Sequence, residues 1–430
     1  MTYENALKNI HSLLTFGSRP GLDRMKTLLD RLGNPQDKLK YIHVAGTNGK
    51  GSVCAMLSSA LVAAGFKTGL FISPYITDFR ERIQINNASV SKEVLADAVE
   101  KTFPIVLELR ESGVVITEFE YVNALEFYIH ANERCDIVVL ETGMGGLLDC
   151  TNVIKPPLCS VITTIGLDHT AVLGDTVEKI AAQKCGIIKP GSIAVTSAQC
   201  GEVMKVIERT TGRLGVPLVK SESAKLEVIS QSLRGNELKY KSKSFNLALA
   251  GDHQIENAKT ALAAIEALCR SGLISVSVDD VAEGFENAEN PARLELLSEK
   301  PIVLLDGAHN PNGIEALKKA VQKFLPNQKI ICVAGMLADK DIDSSIDLLN
   351  GIFDSVYTVP VNNPRAVSPK ELAEKFTKAC GSVVCFDSAE AAFDAALKKA
   401  GEENSAVLIC GSLYLAGEIR PYAIRALEKI

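Results

Sequence analysis

The sequence predicts an α/β protein in which an N-terminal doubly wound sheet domain of the P-loop type is followed by a smaller Rossmann-like α/β domain. Three observations carry that prediction. Short, near-continuous apolar runs recur along the chain and each is followed by a helical pattern, as in parallel strands covered on both faces. The first run, Tyr41-Ile42-His43-Val44-Ala45, enters the glycine-rich turn Gly46-Thr47-Asn48-Gly49-Lys50-Gly51-Ser52 and leaves into a helical pattern. The series then breaks near residues 288–298 and begins again, which divides the 430 residues into units 1–290 and 291–430.

Before the first strand, Ala6, Leu7, Ile10, Leu13 and Leu14 stand at helical spacing, and Gly17, Pro20 and Gly21 interrupt it, so two helices are expected in the first thirty or so residues. Further strands are expected at 69–72, 136–140, 159–163 and 193–195. Thr117-Glu118-Phe119-Glu120 has the form of a capping box opening a helix through Leu125 and Tyr128. Residues 226–249 alternate and contain Gly235-Asn236, the mark of a small antiparallel excursion, and a helix is expected at 255–268. After Pro291-Ala292-Arg293, strands at 302–305, 330–333, 355–358, 383–386 and 406–409 alternate with helical patterns and form a second doubly wound sheet.

Composition narrows the class. A hydrophobic fraction of 47% with 23% charged residues is that of an ordinary enzyme, and a net charge of −6 argues against a nucleic-acid-coating surface. No apolar run reaches the roughly 18 to 20 residues of a membrane span, and the start Met1-Thr2-Tyr3-Glu4-Asn5 lacks a basic stretch followed by an apolar one. Cytoplasmic residence without membrane partners is the expectation, and a monomer the expected state. The 11 cysteines are scattered with no C-x-x-C pair, and Cys54, Cys269, Cys332 and Cys410 sit in apolar patterns, so they read as small buried hydrophobes.

The turn from Gly46 to Ser52 has the layout of a phosphate loop. Strand–turn–helix geometry aims backbone N–H groups and the positive end of a helix dipole at an anion, while Lys50 adds a mobile charge. Val44 occupies the first glycine of the usual G-x-x-x-x-G-K-[ST] spacing and Gly51 separates the lysine from the Ser52 hydroxyl, which makes it a variant loop. Polar residues then gather at other strand ends, where ligands of open parallel sheets bind. Glu141 closes the strand before Thr142-Gly143-Met144-Gly145-Gly146, either as a magnesium-directed carboxylate or as a turn acid. Asp168 and His169 end the next strand pattern, and Ser73 a third. Lys184 lies in an apolar helix end before Gly186, either snorkelling to the surface or desolvated with a lowered pKa. Asn257, near a helix start, serves as a cap or as a reader of a base edge; Asp306, before Gly307-Ala308-His309-Asn310-Pro311, is a turn acid or a ribose ligand.

Together these segments resemble the folylpolyglutamate synthase and dihydrofolate synthase family, a branch of the Mur-type ATP-dependent amide ligases. The resemblance runs in order through Gly46–Ser52, Ser73-Pro74 with Glu81-Arg82-Ile83, Glu141 with Gly145-Gly146 and Leu148-Asp149, Gly166-Leu167-Asp168-His169 with Leu173-Gly174-Asp175-Thr176, Lys184 with Gly186-Ile187-Ile188-Lys189, Asp306 to Pro311, and Gly411-Ser412-Leu413-Tyr414. It implies that Lys50 and the loop amides hold ATP phosphates, with Ser52, Ser73, Glu141, His169 and a carboxylated Lys184 around one or two magnesium ions. It implies Asn257 near adenine, Arg293 on phosphate, Asp306 on ribose, and assistance in amine deprotonation from His309 or Asp168. It also implies a substrate pocket at Thr117, Phe119, Leu148, Asp149 and Cys150. The implied substrates are ATP, L-glutamate and a reduced folate or dihydropteroate. Leu147 replaces the family's usual arginine, Tyr75 its histidine after Ser-Pro, and Gln183 its acid before Lys184. A non-folate acid, or a nucleotide-binding regulatory protein without ligation, is the alternative expectation.

Overall fold

The computed structural model describes residues 1–13 and 21–429. Leu14, Gly17 and Pro20, expected at the end of the first helix and in the break after it, lie outside the described residues; on either side stand helices Tyr3–His11 and Asp23–Arg31. The first sheet contains Tyr41–Ala45 (β1), Thr68–Phe71 (β2), Ile83–Ile85 (β3), Ala88–Ser89 (β4), Ile137–Glu141 (β5), Cys159–Ile162 (β6), Ile193–Thr196 (β7) and Leu218–Lys220 (β8). Their order is β4-β3-β2-β5-β1-β6-β7-β8, and β2 to β8 are joined in parallel across β5, β1, β6 and β7. All five β1 residues are buried, as a central strand between helical layers requires.

The helix that follows the phosphate loop, Lys50–Ala63, is apolar around its whole circumference, because it is wedged between the sheet and helices Asp252–Arg270 and Val278–Glu286. Gly284 allows the closest approach: a Cβ there would collide with the Ala60 backbone. On the opposite face, helices Lys92–Glu111 and Glu118–Asn132 pack with the N-terminal helices. The Thr117 cap is a full capping box with Glu120, as the sequence indicates.

Glu227–Ser232 (β9), Gly235–Tyr240 (β10) and Lys243–Leu247 (β11) form the expected antiparallel excursion. The second sheet holds Glu295–Glu299 (β12), Ile302–Leu305 (β13), Ile330–Ala334 (β14), Ser355–Thr358 (β15), Val383–Cys385 (β16) and Ala406–Cys410 (β17), in the order β12-β13-β17-β14-β15-β16. Two antiparallel features go beyond the sequence reading. The β3–β4 hairpin turns on Asn86 and Asn87, both at positive φ, and β12 folds back on β13 as an edge strand. All 11 cysteines are free, with Cys200 and Cys385 exposed. No described helix is long and apolar enough to cross a membrane.

Candidate active site

The loop after β1 is shaped by contacts that exclude side chains at its glycines. A Cβ at Gly46 would collide with Thr163 Oγ1, and one at Gly49, whose φ is +87°, with Asn257 Oδ1. Thr47 and Asn48 donate their amides to the Thr164 carbonyl, at 2.9 and 3.2 Å, which locks the loop against the end of β6. The helix opening at Lys50 leaves its first amides without intrahelical partners, ready for an anion. Lys50 Nζ lies 3.4 Å from the Thr47 carbonyl and 3.8 Å from Glu141 Oε1.

Glu141 is buried at the end of β5 and accepts a hydrogen bond from the Ser73 amide at 3.2 Å, so three strand ends meet here. Burial raises its pKa, and Lys50 pulls it back down. Lys184 is buried too, with Nζ 2.7 Å from the Gly46 carbonyl. Desolvation and the nearby Lys50 charge lower its amine to about 7. Ser52 Oγ accepts from Asn290 Nδ2 at 2.9 Å. His169 sits at positive φ beside Asp168, with Nε2 3.9 Å from Oδ1; burial lowers its pKa against the pull of Asp168. Among the described residues no three His, Cys, Asp or Glu side chains converge as a metal site. A divalent ion here would therefore draw on hydroxyls, phosphate oxygens and water besides Glu141 and His169, which suits a hard cation carried in with a nucleotide.

The second domain closes over this edge through polar contacts. Asn310 exchanges hydrogen bonds with Asn48 at 3.3 and 3.2 Å and donates to Asp168 at 3.0 Å. Lys340 ion-pairs with Asp168 at 2.8 Å, both side chains being about nine-tenths buried. Burial works to raise the Asp168 pKa, but Lys340 and His169 outweigh it and hold the carboxyl well below its ordinary range. His309 bonds to the Gly307 carbonyl through Nδ1 at 2.8 Å, so that nitrogen carries the proton and Nε2 is the acceptor; burial lowers its pKa to about 4. Asp306 accepts the Leu294 and Ala308 amides, each at 2.7 Å; burial raises its pKa, with Arg293 opposing.

Beside these groups a cavity of about 740 Å³ opens between the domains. Ser73, Arg82, Phe119 and Leu148 line it from the first domain, and His309, Lys340, Arg365 and Tyr414 from the second. Two segments of the chain match Mur ligase models: the middle domain over residues 117–265 and the glutamate ligase domain over 292–413. The dihydrofolate synthase/folylpolyglutamate synthase of Bacillus subtilis is 38% identical over 97% of this chain and 98% of its own length. This chain belongs to the folylpolyglutamate synthase and dihydrofolate synthase family. Mycobacterium tuberculosis folylpolyglutamate synthase complexed with ADP superposes with a TM-score of 0.90 at 30% identity, covering 98% of each chain. An FPGS–AMPPCP–folate complex matches with a TM-score of 0.86 at 32% identity, covering 98% of this chain and 99% of the other. As a member of this family the chain is an ATP-dependent ligase.

The candidate site brings Lys50, Glu141, Ser73 and Lys184 to one strand-end cluster and His169 and His309 to the adjoining cavity wall, with Asp168 beside His169. Thr117, Phe119, Leu148, Asp149 and Cys150 all line the cavity. Asp149, however, is largely committed to its own loop. It accepts the Met144 amide at 2.8 Å, the Thr151 amide at 3.0 Å and the Thr151 hydroxyl at 2.5 Å, and Thr151 Oγ1 lies 2.8 Å from His43 Nε2. Asn257 donates to Gln254 and stands against Gly49. Of the three departures from the family, Tyr75 places its ring 5.2 Å from the Arg82 guanidinium, Gln183 lines the cavity, and Leu147 is 46% exposed. Asn290, Asn310 and Lys340 escaped the sequence reading as site residues. Lys340 stands in the segment between β14 and helix Ile342–Leu349, and no local pattern marks its pairing with Asp168.

Proposed function

We propose that this ligase joins the amine of L-glutamate to the carboxylate of dihydropteroate or a reduced folate through an acyl phosphate. The observation that carries the reading is the adjacency of two unlike compartments: a phosphate loop with two lysines and a carboxylate, and a large cavity whose walls come from both domains. The folate in the similar FPGS complex supports the acid's identity.

A carboxylate is a poor electrophile, since its charge repels a nucleophile and oxide is not a leaving group. One of its oxygens attacks the γ-phosphorus of ATP, ADP departs, and a mixed anhydride remains. The glutamate nitrogen then attacks the acyl carbon, the C–O bond to phosphate breaks, and the amine loses a proton. Lys50 and the helix-start amides offset the charge on the transferring group. Ser52, Ser73, Glu141 and His169 would hold magnesium together with the phosphates, and the bound ion would supply further neutralisation of phosphate charge. The half-neutral Lys184 amine is nucleophilic enough toward carbon dioxide, and its carbamate turns a cation into an oxygen ligand suited to magnesium. Asn257 lies toward adenine, Arg293 toward phosphate and Asp306 toward ribose.

His309 is the better proton acceptor of the two candidates. Among the described residues its Nε2 has no hydrogen-bond partner, and a nitrogen already bonded to the acyl carbon is acidic enough for a weak base. Asp168 is engaged by Lys340 and Asn310, so its task is to hold the second domain against the first. That closure keeps water from the anhydride. The protein works as a cytoplasmic monomer. Purified protein with MgATP tests the reading through ADP release: dependence on both L-glutamate and a pteroate-type acid supports it, and nucleotide binding without turnover identifies a regulatory protein instead. Parallel assays with dihydropteroate and tetrahydrofolate then assign the acid.

A further inference from the structure

Arg82 ends the short helix Phe79–Arg82 and lines the inter-domain cavity, yet the steps above give it no work. Its Nε and Nη1 atoms are buried without a hydrogen-bond partner among the described residues. The two other long cationic side chains on the cavity wall are both engaged: Lys340 with Asp168, and Arg365 with Asp339 at 2.8 Å. The Arg82 guanidinium packs instead on aromatic faces, 5.2 Å from the Tyr75 ring centroid and 5.8 Å from that of Phe79. Glu118 and Glu141 act on it electrostatically from beyond ion-pair distance. A largely buried cation with unmet donors is costly unless an anion reaches it, and a planar fork held by stacking is suited to a carboxylate.

The segment carrying Arg82 is rigid. Glu81 accepts the amides of Ile76 at 2.7 Å, Thr77 at 3.0 Å and Asp78 at 2.8 Å, and the Arg82 carbonyl accepts the Ile72 amide at 3.1 Å. A Cβ at Gly417 would collide with the Ile76 carbonyl, so helix Leu413–Leu427 of the second domain presses on the same segment.

We propose that Arg82 is a specificity residue that binds the free α-carboxylate of an acid already ending in glutamate, while the γ-carboxylate of that residue is activated. This rests on the folate reading above. Dihydropteroate has one carboxylate, which loses its charge to phosphorylation; a folate ending in glutamate has a second that stays anionic throughout and needs a permanent counter-charge on the acid's side of the cleft. Arg82 stands on that side with Ser73 and Phe119, and arginine keeps its proton. Tyr75, where the family usually has histidine, supplies one of the faces that hold it.

The test compares a reduced folate monoglutamate, its α-carboxamide analogue and dihydropteroate as substrates of the wild type and of Arg82→Gln. In the wild type the carboxamide should raise KM about 10- to 100-fold, the usual loss for a charge-assisted hydrogen bond. Arg82→Gln should raise KM for the folate similarly, make the carboxamide no worse than the folate, and leave KM for dihydropteroate, L-glutamate and ATP unchanged. A carboxamide as good as the folate in the wild type overturns the proposal, and that result does not depend on whether the variant folds. So does an Arg82→Gln effect on KM for L-glutamate or equally on both acids. Absence of wild-type turnover with every acid would overturn the ligase reading itself.

Discussion

At the carboxyl edge of the first sheet, Lys184 and Glu141 are buried and Lys50 is partly buried, with their charges incompletely met, whereas at the edge of the second sheet Asp306 accepts two backbone amides and His309 is bonded to the Gly307 carbonyl. Both edges are carboxyl ends of parallel strands and face the same cleft. The difference separates their tasks. Incompletely neutralised groups keep capacity for a phosphoryl group and its metal, while bonded groups hold a fixed shape and orient what enters, His309 keeping its Nε2 for the amine proton. The second domain then adds charge where the first has an acceptor for it, as Lys340 does on Asp168.

The largest effect that can break this division is expected at Lys50. Lys50→Ala should lower kcat by about 10³-fold, as loss of a preorganised electrostatic group in a closed site does; near-normal turnover would remove the phosphate-loop assignment. Lys184→Ala should follow at about 10²-fold, of the order seen when a group supporting a metal site is lost. Added formate should restore part of that rate if a carbamate is the working form, and a rate equal to the wild type's would discard it.

A smaller effect separates clamping from chemistry. Lys340→Met leaves the buried Asp168 carboxylate without its cation and should lower thermal stability or closure by about 3 kcal/mol, as breaking one partner of a buried pair does. Adding Asp168→Asn should recover part of that loss, because the stranded charge is gone. A double-mutant cycle on unfolding temperature and kcat reads this, and additive losses would contradict the clamp.

The smallest effect is the response to acid. Burial holds His253 and His309 near pH 4 and His43 near 3, all below the ordinary value of 6.5. Between 6.5 and those values the unfolded chain binds protons that the folded chain refuses, so these histidines lose stability as pH falls through this window, while Glu126, raised by burial to about 7, offsets part of it. NMR titration of the three imidazoles checks this, and ordinary values near 6.5 would reject it.

The strand ends were legible because a buried run followed by a polar residue marks a sheet edge, which is how the sequence points to Glu141 and Asp168, whereas Lys184 stands out as a lysine in an apolar helix end. The family resemblance then supplied their roles. What the sequence hid depends on how the domains dock. Lys340 meets Asp168 across 172 residues of chain, and Asn310 meets Asn48 across 262, so nothing local marks either pair. Arg82 was visible as part of a motif, but its unmet donors are a property of its surroundings. Asp149 shows the reverse: its motif suggested a substrate contact, while the Met144 and Thr151 amides and the Thr151 hydroxyl occupy much of its capacity. The Asn86-Asn87 turn carried a local hairpin signal that the reading passed over.

Oxygen isotope transfer tests the central claim most directly. With the acid labelled by ¹⁸O in its carboxylate, turnover with MgATP and L-glutamate should place one labelled oxygen in each phosphate released, because the acid's own oxygen leaves with the phosphoryl group. Phosphate free of label would contradict the acyl phosphate and the division of labour between the two sheet edges.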